Sequence, residues 1–206
     1  MVIAGHNGAG KTTYYRANLE SVLRATRPAM VYINADDIER ELREAYARAE
    51  LPPESAERFS ELARLEAEAQ RGTALAGRDD YCFETVASHA SKLIEIGEAL
   101  DAGYVVVLLF VGLDSPATSA ARVAARHAKG GHDVPLDRIH SRYPKVLANM
   151  TRAVHMATIA LVVDNSAESD PDDPNYRPLA LFRRGTRTKV ADNVPPWACD
   201  VIAETA

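Results

Sequence analysis

Residues 5–12 read Gly-His-Asn-Gly-Ala-Gly-Lys-Thr, the spacing GxxxxGK[ST] of a phosphate-binding loop. The apolar run 1–4 precedes it and a helix-compatible stretch follows it. Glycines let the backbone curl so that successive N–H groups converge on an anion. A helix N-terminus adds partial positive charge at the same place. Gly5, His6, Asn7, Gly8, Ala9, Gly10, Lys11, Thr12 and Thr13 are therefore the candidate nucleotide-binding residues. Lys11 has the reach for the β- and γ-phosphates and the Thr12 hydroxyl suits a metal, so ATP and Mg²⁺ are the expected ligands.

Other reactive residues stand where apolar runs end. In open α/β sheets, ligands sit outside the carboxyl ends of the strands. The run through Ile33 ends Asn34-Ala35-Asp36-Asp37. A carboxylate there can take a proton from a hydroxyl as it attacks a γ-phosphate, with Asp36 favoured over Asp37. Asp36 also opens the next helix, so N-capping is its alternative role. The run through Phe83 ends Glu84-Thr85, where a carboxylate can hold an acceptor or pair with an arginine; His89 reads as a loop residue. Arg122, Arg126, Arg138 and Arg142 lie in two basic helical stretches separated by Gly130-Gly131-His132-Asp133, the pattern of a lid. Arginine suits a transferring phosphoryl group because it is always charged and presents a planar fork of donors. Arg126 and Arg142 rank first, against a solvated helix face as the alternative, and His132 is a candidate phosphate contact. Asp164-Asn165-Ser166 reads either as a nucleotide-side loop or as a plain turn.

Five apolar runs, at 1–4, 29–34, 81–84, 105–111 and 159–164, read as parallel strands. Helical patterns at 12–24, 36–49, 55–76, 91–102, 117–129 and 136–156 alternate with them. This predicts an α/β fold, with a parallel sheet of about five strands flanked by helices. Residues 165–178 read as a surface loop, and strands at 179–183 and 186–190 around Arg184-Gly185 read as a terminal hairpin. Pro195-Pro196 is expected to end regular structure. With no repeat and no second core, 1–206 reads as a single domain with a lid-like region at about 117–150.

A net charge of −5 weighs against a nucleic-acid or membrane partner. Cys82 and Cys199 lack metal-ligand spacing, and Cys82 is expected to be a buried free thiol. Two thiols, a nucleotide motif and no 18-residue apolar span fit the cytoplasm. The chain enters its first strand without preceding residues, as a trimmed start would.

The ordered set of motifs resembles the zeta toxin family of P-loop kinases. The matching residues are the loop at 5–12, Ile-Asn-Ala-Asp at 33–36, Phe-Glu-Thr at 83–85, Arg126 with Gly-Gly-His-Asp-Val-Pro at 130–135, Arg142-Tyr143, and Asp-Asn-Ser at 164–166. The resemblance implies transfer of the ATP γ-phosphate to a sugar hydroxyl of UDP-N-acetylglucosamine or a related UDP-sugar. It implies ATP-Mg²⁺ on Lys11 and Thr12, Asp36 as general base, Glu84 and Thr85 on the acceptor, and Arg126 on the phosphates. It also implies a separate antitoxin protein as partner. The chain departs from the founding toxins at Val86 and Ser88, which replace a Thr and an Arg, and at His132, where a second lid arginine would fall; Arg142 is its substitute. The acceptor thus stays open, with a nucleoside, a sugar or a nucleic-acid end as alternatives. A partner-regulated P-loop ATPase is the remaining rival.

Overall fold

A computed structural model describes residues 1–52, 54–129, 134–167 and 175–204. Seven strands form in chain order: β1 (Val2–Gly5), β2 (Val31–Ile33), β3 (Tyr81–Thr85), β4 (Val107–Gly112), β5 (Ile159–Asp164), β6 (Arg177–Arg183) and β7 (Thr186–Val190). The helices are α1 (Lys11–Tyr14), α2 (Glu20–Thr26), α3 (Ala35–Arg48), α4 (Ala56–Gly77), α5 (Ser91–Asp101), α6 (Pro116–Ala128), α7 (Leu136–Met156) and α8 (Pro196–Cys199). The chain divides into two compact units, Met1–Leu19 with Thr85–Ala206, and Glu20–Glu84.

In the larger unit the strand order is β1-β4-β5-β6-β7. β1, β4 and β5 are parallel, from Val2 opposite Leu108 to Gly5 opposite Val111, and from Val107 opposite Ile159 to Gly112 opposite Asp164. Ile3, Leu108, Phe110, Val111, Val162 and Val163 are fully buried, as the unbroken apolar runs of a covered parallel sheet require. The expected terminal hairpin is present and does more than sit apart. β6 pairs antiparallel with β5, so the hairpin extends the sheet of this unit to five strands. A buried strand cannot leave one edge of N–H and C=O groups unpaired, and the hairpin supplies the partners.

Two further expectations are corrected. The helix read at 12–24 is α1, a π-helical turn at Tyr15–Leu19, and α2 running on to Thr26. Hydrophobic spacing does not register a change from i→i−4 to i→i−5 bonding. Pro195-Pro196 does not end regular structure: Pro196 opens α8, where a missing N–H is harmless. α8 buries Trp197, whose ring meets Phe110 edge-on at 5.9 Å and donates Nε1–H to Asp164 Oδ1 at 3.3 Å.

In the smaller unit β2 and β3 are parallel, Val31 opposite Tyr81 and Ile33 opposite Phe83. β2 is shorter than the run at 29–34 because Asn34 leaves the strand to cap α3, accepting from Asp36 N at 3.0 Å. α3 and α4 are tied by a buried carboxylate. Glu39 accepts two N–H bonds from Arg43, at 3.0 and 2.7 Å, and one from the Ser60 hydroxyl at 2.7 Å. The Arg43 guanidinium lies 4.6 Å above the Phe59 ring, which adds a cation–π contact to this ion pair. Cys82 is free and buried, as expected, and burial pushes its thiol up to about 12.

Candidate functional site

The phosphate loop hangs between β1 and α1, and its carbonyls are braced by the larger unit. Ser119 Oγ donates to Asn7 O at 2.7 Å, Asn165 Nδ2 to Ala9 O at 2.9 Å, and Tyr176 Oη to Gly10 O at 2.7 Å. Lys11 Nζ donates to Gly5 O and His6 O, at 3.1 Å each. A peptide points its N–H opposite its C=O, so braced carbonyls direct the amides of the same peptides away from these partners, as an anion nest requires. Gly10 has φ 85°, and a Cβ there would lie 2.7 Å from Tyr176 Oη and 2.8 Å from Asn165 Nδ2. Gly8 is also left-handed, with φ 69°. The arrangement fits a nucleoside triphosphate: left-handed backbone turns that favour glycine, a helix start, and Lys11 and Thr12 in place. Thr12 is half-buried and Thr13 exposed.

His6 is buried, and its ring stacks on Tyr143 of α7 at 4.4 Å and 18°. Neither ring nitrogen makes a side-chain hydrogen bond of normal geometry. Burial, reinforced by the Lys11 charge, holds its pKa down to about 4 against an ordinary 6.5. The sign follows from linkage. The unfolded chain takes up a proton near pH 6.5 and the folded chain only near 4, so stability is lost as pH falls through that window. A loss of about 3 kcal/mol is expected across it. Chemical denaturation of wild type and His6→Phe between these pH values checks this; parallel stability curves for the two proteins would refute it.

The arginines of the two basic stretches lie on α6 and α7. Val123 of α6 packs against Val134 and Ile139, joining the two helices through a small apolar cluster. Arg126 occupies the last turn of α6 and is half-buried. Arg142 is half-buried beside Tyr143, whose hydroxyl donates to Leu113 O at 2.9 Å. Burial, then the like charge of Arg138, lowers the Arg142 pKa. Arg122 is spent on Ala167 O at 2.9 Å, while Arg138 and His89 are exposed. His132, with Gly130, Gly131 and Asp133, lies outside the described residues.

Asp164-Asn165-Ser166 resolves into two jobs. Asp164 accepts from Ser166 N at 3.1 Å and from Arg177 at 3.0 Å, forming a turn, while Asn165 braces the phosphate loop. Thr85 Oγ1 accepts from the N–H of Ala87 at 3.0 Å, and Ala87 itself has φ 57°.

The acidic candidates belong to the smaller unit. Asp36 is exposed in the first turn of α3, whereas Asp37 pairs with Arg40 at 2.7 Å. Asn34 is the N-cap, so the capping role considered for Asp36 falls to it. Glu84 is half-buried and accepts from the Tyr32 hydroxyl, a contact that no local motif announces. Tyr32, Ser119, Tyr143 and Tyr176 are the residues that sequence reasoning missed. Tyr143 stands beside Arg142 in the matched motif without a role assigned to it, and Tyr32 directly precedes the 33–36 motif. Among the described residues no group of His, Cys, Asp and Glu could hold a metal ion, and no helix is long and apolar enough to cross a membrane.

The family model described as zeta toxin matches residues 1–173. The chain belongs to the zeta toxin family. Its fold is that of a P-loop kinase, and solved structures of this kind resemble it. A chain of the native AvrRxo1-ORF1:ORF2 complex superimposes with TM-score 0.70 at 17 % identity, over 98 % of this chain and 63 % of the other. A chain of the same complex with ATP gives 0.68 at 16 % identity, over 91 % and 60 %. A chain from the PezAT chromosomal toxin–antitoxin system of Streptococcus pneumoniae gives 0.57 at 15 % identity, over 98 % and 76 %. This zeta toxin family chain thus spans about 60 % of the AvrRxo1 chains it resembles. No curated protein matches it by sequence.

Proposed function

We propose that this zeta toxin family member is an ATP-dependent kinase that phosphorylates a hydroxyl of a small-molecule acceptor, in the first instance UDP-N-acetylglucosamine or a related UDP-sugar. The observation that carries the reading is the braced phosphate loop, with Gly8 and Gly10 in left-handed turns and Lys11 at the helix start. Asp36 takes the acceptor proton as the hydroxyl oxygen bonds to the γ-phosphorus and the bond to the ADP oxygen breaks. Glu84 and Thr85 hold the acceptor. Lys11, Arg126 and Arg142 neutralise the charge of the transferring group, and a partly desolvated guanidinium such as Arg142 gains most from an anion. Thr12 would ligand Mg²⁺, which when bound adds positive charge on the phosphate oxygens. His132 is proposed as a further phosphate contact. The protein acts in the cytoplasm, with an antitoxin polypeptide as the proposed protein partner.

The test is a ³¹P NMR and mass-spectrometric assay with ATP and Mg²⁺ against UDP-sugars, nucleosides, free sugars and nucleic-acid ends. A phosphorylated UDP-sugar is the expected product. ADP release with every acceptor unmodified would replace the kinase reading with that of an ATPase.

A further inference from the structure

We propose that Tyr32 and Asn34 are positioning residues for the acceptor, acting through Glu84 by a hydrogen-bond relay that runs along the ends of β2 and β3. The inference rests on the kinase reading above and adds to it Tyr32, which no motif marks, and a role for Asn34 beyond capping. β2 and β3 are parallel with Tyr32 opposite Cys82. Side chains alternate along a strand, so Tyr32, Asn34, Cys82 and Glu84 share one face of this pair.

The relay has a fixed direction. Asn34 Oδ1 accepts from Asp36 N at 3.0 Å, which leaves Asn34 Nδ2 as the donor to Tyr32 Oη at 3.2 Å. Tyr32 in turn donates its only proton to Glu84 Oε1. An ionised carboxylate is acceptor-only, so each step agrees with the donor inventory of its groups. Burial, then the Glu84 charge, raises the phenol pKa well above its usual value, so the hydroxyl keeps the proton it donates.

Capping α3 needs only one end of the Asn34 amide, and a strand needs no hydroxyl at position 32. The surplus Asn34 amide N–H is spent on Tyr32, and the Tyr32 hydroxyl on Glu84. A glutamate side chain has three rotatable bonds, and one that holds a sugar hydroxyl must keep a single rotamer. The one proton of Tyr32 is committed to Glu84, so Tyr32 acts on the acceptor by orienting that carboxylate. Because the other end of the relay is the Asp36 amide, the same bonds tie the backbone of the proposed base to the proposed acceptor carboxylate.

The experiment compares wild type, Tyr32→Phe, Glu84→Gln and the double variant. The acceptor is whichever of UDP-N-acetylglucosamine, uridine and glucose the wild type phosphorylates. Tyr32→Phe is expected to raise the acceptor KM about tenfold to hundredfold, the worth of one bond to a charged group. kcat at saturating acceptor should fall by less than about threefold, as for lost ground-state and transition-state binding alike. The double variant should be no worse than Glu84→Gln alone, since the hydroxyl then has no carboxylate to orient. ATP affinity by calorimetry should match wild type in all four proteins. An unchanged acceptor KM in Tyr32→Phe overturns the proposal, as do losses that multiply in the double variant or a Tyr32→Phe protein that no longer binds ATP. Wild type that phosphorylates none of the three acceptors overturns the reading on which the proposal rests, and the proposal with it.

Discussion

Asp36→Ala is expected to lower the rate of phosphoryl transfer about 10²–10⁴-fold, the usual contribution of a positioned general base. The substitution leaves the cap of its helix in place. Asp36 is exposed in the first turn of α3, and the capping bond of that helix is made by Asn34 to the Asp36 backbone N–H. Alanine keeps that N–H. The loss of a carboxylate from the first turn also removes a favourable interaction with the helix dipole of roughly 0.3–1 kcal/mol. Its neighbour Asp37 is engaged by Arg40 and provides a control. Single-turnover transfer and ATP affinity are the measurements. A variant that loses ATP affinity together with transfer would make Asp36 a structural residue; a variant that transfers at the wild-type rate would remove it from the mechanism.

Gly112→Ala is expected to destabilise the larger unit by about 3 kcal/mol, through overpacking against a side chain that cannot yield. A Cβ on Gly112 would lie 2.0 Å from the Trp197 ring. That ring is pinned by its bond to Asp164, which is Gly112's register partner on β5, and by its edge-on contact with Phe110. In a domain of this size the midpoint of thermal unfolding should fall by roughly 6–12 °C. Adding Trp197→Leu to Gly112→Ala should recover part of the loss, because the smaller side chain vacates the clash. Calorimetry of the two variants decides it. An unaltered midpoint in Gly112→Ala would mean that α8 does not pack across β4 in solution.

The phosphate loop was legible because its chemistry is local: eight consecutive residues carry both the turn and the functional side chains. The span of α7 was legible for a similar reason, its apolar period persisting unbroken from Leu136 to Met156 even through Pro144. The ends of β2 and β3 were legible as places for acidic residues, since a strand's apolar run ends where its polar neck begins. The capping of α3 was assigned two residues late. Asn34 and Asp36 are both good caps, and only the backbone angles, with Asn34 still extended, separate them.

What the sequence could not reveal is which distant side chain braces which loop. Tyr32 reaches Glu84 across 52 residues, Ser119 reaches Asn7 across 112, and Tyr176 reaches Gly10 across 166. The same holds for the hairpin, whose two strands were readable but whose attachment to β5 was not. Composition and spacing alone thus determined that this chain alternates strands and helices and carries a nucleotide loop, because those properties depend on covalent neighbours. Tertiary structure alone decided that the loop is braced by Ser119, Asn165 and Tyr176, and that Tyr32 holds Glu84. Those contacts depend on which strands lie side by side, a matter of how the whole apolar surface is buried and not of any one segment.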